Sequence, residues 1–77
     1  MSDDTQPERG SGGETVRDLH RRLLDAGYQV ADTEVADGVF GTDTEIHLRR
    51  FQAERGLREH GRLDNTTLAA LIEAGYH

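Results

Sequence analysis

The amino-acid sequence predicts an all-helical fold of three helices behind a polar leader. Two observations predict it. Apolar residues recur at helical spacing in three stretches, and each stretch lies between a capping residue and a glycine. The chain has 77 residues, which is room for one domain. It contains no cysteine, so neither a disulfide nor a thiolate zinc site is available. One apolar core must hold it, and at this size such a core supplies about 3–5 kcal/mol.

Residues 1–13 are polar, include Pro7, and carry Gly10, Ser11, Gly12 and Gly13. Such a composition buries too little apolar area to offset its ordering entropy, so it reads as a disordered leader, with the domain spanning 14–77. The first helix is expected to start at Thr15, capped by its hydroxyl with Asp18 completing a capping box. Val16, Leu19, Leu23 and Leu24 form its inner face, and Gly27 ends it. Tyr28 to Asp37 is a connection holding Val30 and Val35, long enough for a short extended piece but too brief to assign. The second helix begins at Gly41 or Thr42, buries Thr44, Leu48 and Phe51, and runs to Arg55 before Gly56. The third takes Asp64 as its cap and continues through Leu68, Leu71 and Ile72 to Gly75, with Leu63 and Leu68 placed as a hydrophobic staple.

The two later helices share their entry. Gly38-Val39-Phe40-Gly41-Thr42-Asp43-Thr44 leads to Leu48, and Gly61-Arg62-Leu63-Asp64-Asn65-Thr66-Thr67 leads to Leu71. Glycine takes backbone angles that a Cβ resists, the large apolar residue plugs the core, and the threonine hydroxyl at the third helical position can reach unpaired backbone groups. On its own this is a good way to begin a helix twice.

The net charge of −6 works against phosphate binding, which disfavours nucleic acid and a helix-turn-helix reading. No apolar run reaches the length of a membrane span or a signal-peptide core. The protein therefore stays in the cytoplasm, leaves by another route, or is a piece of a longer chain. The abrupt ending at Gly75-Tyr76-His77 favours a piece. Catalysis has no foothold: the only serines are Ser2 and Ser11 of the leader, and Asp43 and Glu45 are explained by the positive end of a helix dipole. No cofactor is implied. His20, His47, His60 and His77 invite a metal reading, but none pairs at helical zinc spacing, so unpaired surface or half-buried histidines are expected.

Val16-x-x-Leu19 with Leu23, Gly27-Tyr28, Asp37-Gly38-Val39-Phe40-Gly41-x-x-Thr44, Phe51-Gln52, Gly56-Leu57, and Gly61-x-Leu63-Asp64-x-x-Thr67 with Leu71 together resemble the peptidoglycan-binding domain appended to bacterial cell-wall hydrolases. The resemblance implies a compact orthogonal three-helix bundle. It also implies a cell-wall glycopeptide (peptidoglycan or muropeptide) ligand and a neighbouring amidase, muramidase or carboxypeptidase. Three departures stand out. His20 follows Leu19 where the family has Gln, His47 replaces a small residue, and His60 replaces Asp before Gly61. Related folds without wall affinity exist, including pro-segments of animal metalloproteases, so a regulatory or protein-interaction module is the alternative.

A glycopeptide offers carboxylates, acetamido groups and sugar C–H faces, so a site for it wants an aromatic surface, an arginine and an amide. Tyr28 supplies the aromatic candidate, Arg49 or Arg50 the guanidinium, and Gln52 the amide, although Gln52 can equally tie the Asp37–Gly41 loop to the second helix. Asp37 is a candidate as well, or a turn-stabilising carboxylate. With Gly38, Phe40, Gly41 and Thr44 of the first corner, these residues form the expected ligand-binding set. The expected role is a non-catalytic, monomeric binding module that brings a linked hydrolase to its polymer.

Overall fold

The computed structural model describes residues 9–74, and among them four helices: α1 (Glu14–Asp25), α2 (Asp32–Asp37), α3 (Thr42–Glu54) and α4 (Asn65–Ala74). The all-helical class stands, with one short helix more than the sequence predicts. α1 buries Val16, Leu19, His20 and Leu23, a stripe at i, i+3, i+4 and i+7. Leu24 falls off that stripe and is exposed. The helix starts one residue before Thr15, behind Gly13, and no side chain caps it. Asp18 pairs instead with Arg22 one turn on, at 2.8 Å. Past the last turn, Gly27 takes φ 97° and the Tyr28 N–H returns to the Leu23 carbonyl at 2.9 Å, which satisfies the helix end.

α2 occupies the connection that the pattern left unassigned. None of its six residues is buried, so no apolar stripe announces it. Acidic Asp32 and Glu34 suit its first turn, and Gly38, at φ 67°, stops it in the left-handed region. α3 buries Thr44, Leu48, Phe51 and Gln52, and closes with the Leu57 N–H on the Gln52 carbonyl at 2.8 Å. α4 is capped as expected: the Asp64 carboxylate accepts the Thr67 N–H at 2.7 Å. Leu71 is buried and Ile72 is not. The expected terminus at Gly75 lies outside the described residues.

α1 packs against both α3 and α4, and Val16, Leu19, Leu23, Val30, Phe40, Leu48, Phe51, Leu63 and Leu71 make one core. Phe40 and Leu63, the two plugs, are 0% and 5% exposed. Residues 9–12, which composition assigns to the leader, join the fold. The Gly10 N–H donates to the Phe40 carbonyl at 2.8 Å, the Phe40 N–H donates to the Ser11 carbonyl at 2.9 Å, and Gly12 bridges Val39. Such pairing uses the backbone alone, so a polar, glycine-rich composition gives no sign of it. Residues 1–8 lie outside the described part.

Candidate functional site

Each glycine corner is closed by a relay of the same design. At the first, Glu34 of α2 takes hydrogen bonds from the backbone N–H groups of Gly41 (3.2 Å), Asp43 (2.9 Å) and Thr44 (2.8 Å), and from the Thr44 hydroxyl (2.6 Å). That carboxylate does the work expected of the Gly41 cap. A Cβ at Gly41 would lie 2.6 Å from it and would push the carboxylate off the groups it holds. Burial raises the Glu34 pKa, but the Thr44 hydroxyl and the three amides outweigh it and leave the group below its ordinary value. At the second corner Asp64 holds the Thr67 N–H and hydroxyl and the His60 ring. Burial again pulls upward, and these partners bring its pKa down.

Behind each threonine stands a buried polar side chain from the preceding long helix. Gln52 of α3 donates to the Thr67 hydroxyl (3.1 Å) and the Arg62 carbonyl (2.9 Å), and its Oε1 accepts the Gly61 N–H (3.0 Å). His20 of α1 meets the Thr44 hydroxyl at 2.8 Å. Because Thr44 gives its proton to Glu34, the Thr44 oxygen accepts from His20 Nε2–H, and Nδ1 is then a bare acceptor. It is buried with no hydrogen-bond partner. Desolvation lowers the His20 pKa, against the opposing pull of the Glu34 charge and the Val39 backbone. The duplication extends to arginine: Arg17 lies over Gly38, three residues before His20, and Arg49 over Gly61, three before Gln52.

His20, Thr44 and Glu34 have the composition of a catalytic relay. Thr44 is wholly enclosed and its hydroxyl is spent on the carboxylate, so no substrate can reach it. The relay is architecture.

The open chemistry lies elsewhere. A groove of about 430 Å³ runs between the end of α1 and the outer face of α3, lined by Ala26, Gly27, Tyr28, Gln29, His47, Arg50 and Glu54. That volume is in the range of about 300–1,000 Å³ usual for ligand sites. Tyr28 stands edge-on to Phe51 (centroids 5.9 Å apart) and to His47 (6.4 Å), and its hydroxyl donates to Glu54. Desolvation first, then the Glu54 hydrogen bond and charge, push its pKa up to about 12 against the pull of Arg55 and Arg50. The phenol therefore stays a donor. His47 Nδ1 lies 2.8 Å from the Asp43 carbonyl, which can only accept, so Nδ1 carries the proton.

Of the expected ligand-binding residues, Tyr28 and Arg50 reach this groove. Phe40, Thr44 and Gln52 are 0% exposed and have no side-chain surface to present. Gly38 is buried beneath Arg17, Gly41 adjoins Glu34, and Asp37 is exposed at the end of α2. Arg49 lies over the second corner and Arg50 faces the groove. Gln52 ties the Gly61 loop, not the Asp37–Gly41 loop. The described histidines all have partners, His20 on Thr44, His47 on Asp43 and His60 on Asp64, and His77 lies outside the described residues. Gln29 and Glu54 were not anticipated. His47, Arg50 and Glu54 recur at i, i+3 and i+7, and that stripe beside Tyr28 was the available signal.

The comparisons with known proteins agree with this architecture. No curated protein matches the sequence. The SleB N-terminal domain is 33% identical with a TM-score of 0.84, covering 99% of this chain and 100% of that one. An L,D-transpeptidase from Xylanimonas cellulosilytica is 38% identical (TM-score 0.81), and the match covers this whole chain but 36% of that protein. A fused Zn-dependent amidase/peptidase/peptidoglycan-binding domain-containing protein from Clostridium acetobutylicum is 28% identical (TM-score 0.78), with 88% of this chain against 29% of that one. The sequence profile of the peptidoglycan-binding domain matches residues 12–71, and the chain belongs to that family.

Proposed function

We propose that this chain binds peptidoglycan through the Tyr28 groove and holds a linked catalytic domain on its polymer. Family membership carries the reading. Two of the similar structures support the linkage: this chain matches 36% of a transpeptidase and 29% of an amidase-containing protein, the size of one module beside an enzyme. Linking a binder to a catalyst replaces bulk concentration with an effective one, on the order of millimolar for a short tether.

Of the three histidine departures, His20 is buried against Thr44, and His60 is held by Asp64 at the second corner with 20% of its side chain exposed. His47 does line the groove. The test is co-sedimentation of the purified chain with insoluble bacterial sacculi at modest salt. Recovery in the pellet is expected. Recovery wholly in the supernatant, or capture of a protein partner with no response to muropeptide, removes the reading in favour of a regulatory module.

A further inference from the structure

Resting on the wall-binding reading, we infer that the groove recognises a zwitterionic amino-acid terminus, an ammonium and a carboxylate on one carbon. The diamino acid of a peptidoglycan stem presents such an end when its side chain terminates in a second amino-acid centre.

The groove sets opposite charges side by side. Arg50 and Glu54 are one turn apart on α3, which sets their Cβ atoms about 5–6 Å from each other. Among the described residues no ion pair engages Arg50, and Glu54 meets only the Tyr28 hydroxyl. The second oxygen of Glu54 is thus open to an ammonium, and the guanidinium of Arg50 is open to a carboxylate in a charge-assisted pair. Arg55, the other cation near Tyr28, is occupied over the Phe51 ring at 5.3 Å. Arg50 is left as the anion receptor.

The setting is ordered before any ligand arrives. Tyr28 is braced by Phe51, His47 and Glu54, and His47 is held by Asp43. His47 Nε2 has no partner among the described residues, and the exposed Gln29 amide lies on the opposite rim, so both are available to the neighbouring peptide group. A chain of net charge −6 would repel the carboxylates of a peptide stem over most of its surface. Arg50 gives one place where a carboxylate is drawn in. Removing that carboxylate from the ligand forfeits the charge-assisted pair with Arg50.

The experiment compares two soluble disaccharide-tripeptides that differ by one group: one ends in diaminopimelate, the other in lysine, which lacks the far carboxylate. Titration calorimetry on the whole chain should show at least tenfold tighter binding of the diaminopimelate form. Arg50→Gln should abolish that preference, Glu54→Gln should weaken both ligands, and Arg58→Gln, exposed and outside the groove, should change nothing. Equal affinity for the two ligands, or a preference that survives Arg50→Gln, overturns the inference while leaving wall binding intact. Failure of the unmodified chain to sediment with sacculi of either composition removes both.

Discussion

His20→Gln should make the protein more stable and less sensitive to mild acid. In the second corner the glutamine at the equivalent place satisfies three groups, whereas the His20 ring bonds Thr44 and leaves Nδ1 buried and unpaired. An unsatisfied buried polar atom costs about 1–3 kcal/mol. A glutamine at position 20 can keep the Thr44 bond and give a second proton to the Val39 carbonyl, as Gln52 does with Arg62. Some of the gain is offset by loss of ring packing, leaving a net of about 1 kcal/mol, or roughly 4–8 °C in Tm for a domain this small. The pH signature follows from linkage. The folded-state pKa of His20 lies below its ordinary 6.5, so the unfolded chain takes up the proton first. The stabilisation is complete above pH 6.5 and is lost as pH falls through 6.5 toward the folded value. The groups facing the ring, Thr44 from α3, Glu34 from α2 and the Val39 backbone, include one charge, and that charge only partly offsets desolvation. Thermal unfolding followed by circular dichroism from pH 7.5 to 5 measures both effects. A variant with lower Tm at pH 7.5, or one whose Tm declines with acid as steeply as the parent's, refutes the argument.

Other perturbations test neighbouring parts. Gln52→Ala removes three hydrogen bonds and strands the buried Gly61 N–H, and urea unfolding should register a loss of about 2–4 kcal/mol. Glu34→Gln keeps the shape but weakens the α3 cap, costing about 1–2 kcal/mol at pH 7. The folded Glu34 pKa lies below 4.5, so its contribution is present above pH 4.5 and lost as pH falls through the folded value. The gap between parent and Glu34→Gln should therefore close in acid, and a gap that persists at pH 2 would contradict the linkage. Ultraviolet titration should place Tyr28 ionisation near pH 12, about two units above an ordinary tyrosine, with Glu54→Gln bringing it down.

The corners were legible because their logic is local. Gly38 and Gly61, Phe40 and Leu63, and Thr44 and Thr67 repeat in order, and each does a job that neighbouring backbone demands. Their fastenings were not, since Glu34 and His20 come from other helices and nothing local links them to Thr44. The error over Gln52 has the same origin. It lies about as far along the chain from one loop as from the other, and only the parallel with His20 points to the second corner. α2 left no trace because a helix that buries nothing has no stripe to read. Tyr28 was found as an aromatic after a helix end. Its groove partners His47, Arg50 and Glu54 sit among the charged residues of α3, where a polar stripe reads as ordinary surface.

The short antiparallel pairing of Gly10 and Ser11 with Phe40 decides how the domain would bear load. A tether fused upstream leaves beside that phenylalanine and not from the tip of α1. Under the proposed linkage, a pull from an upstream enzyme would meet those few amide contacts first. Phe40 itself is sealed in the interior, so on this geometry the seam would yield before the hydrophobic centre.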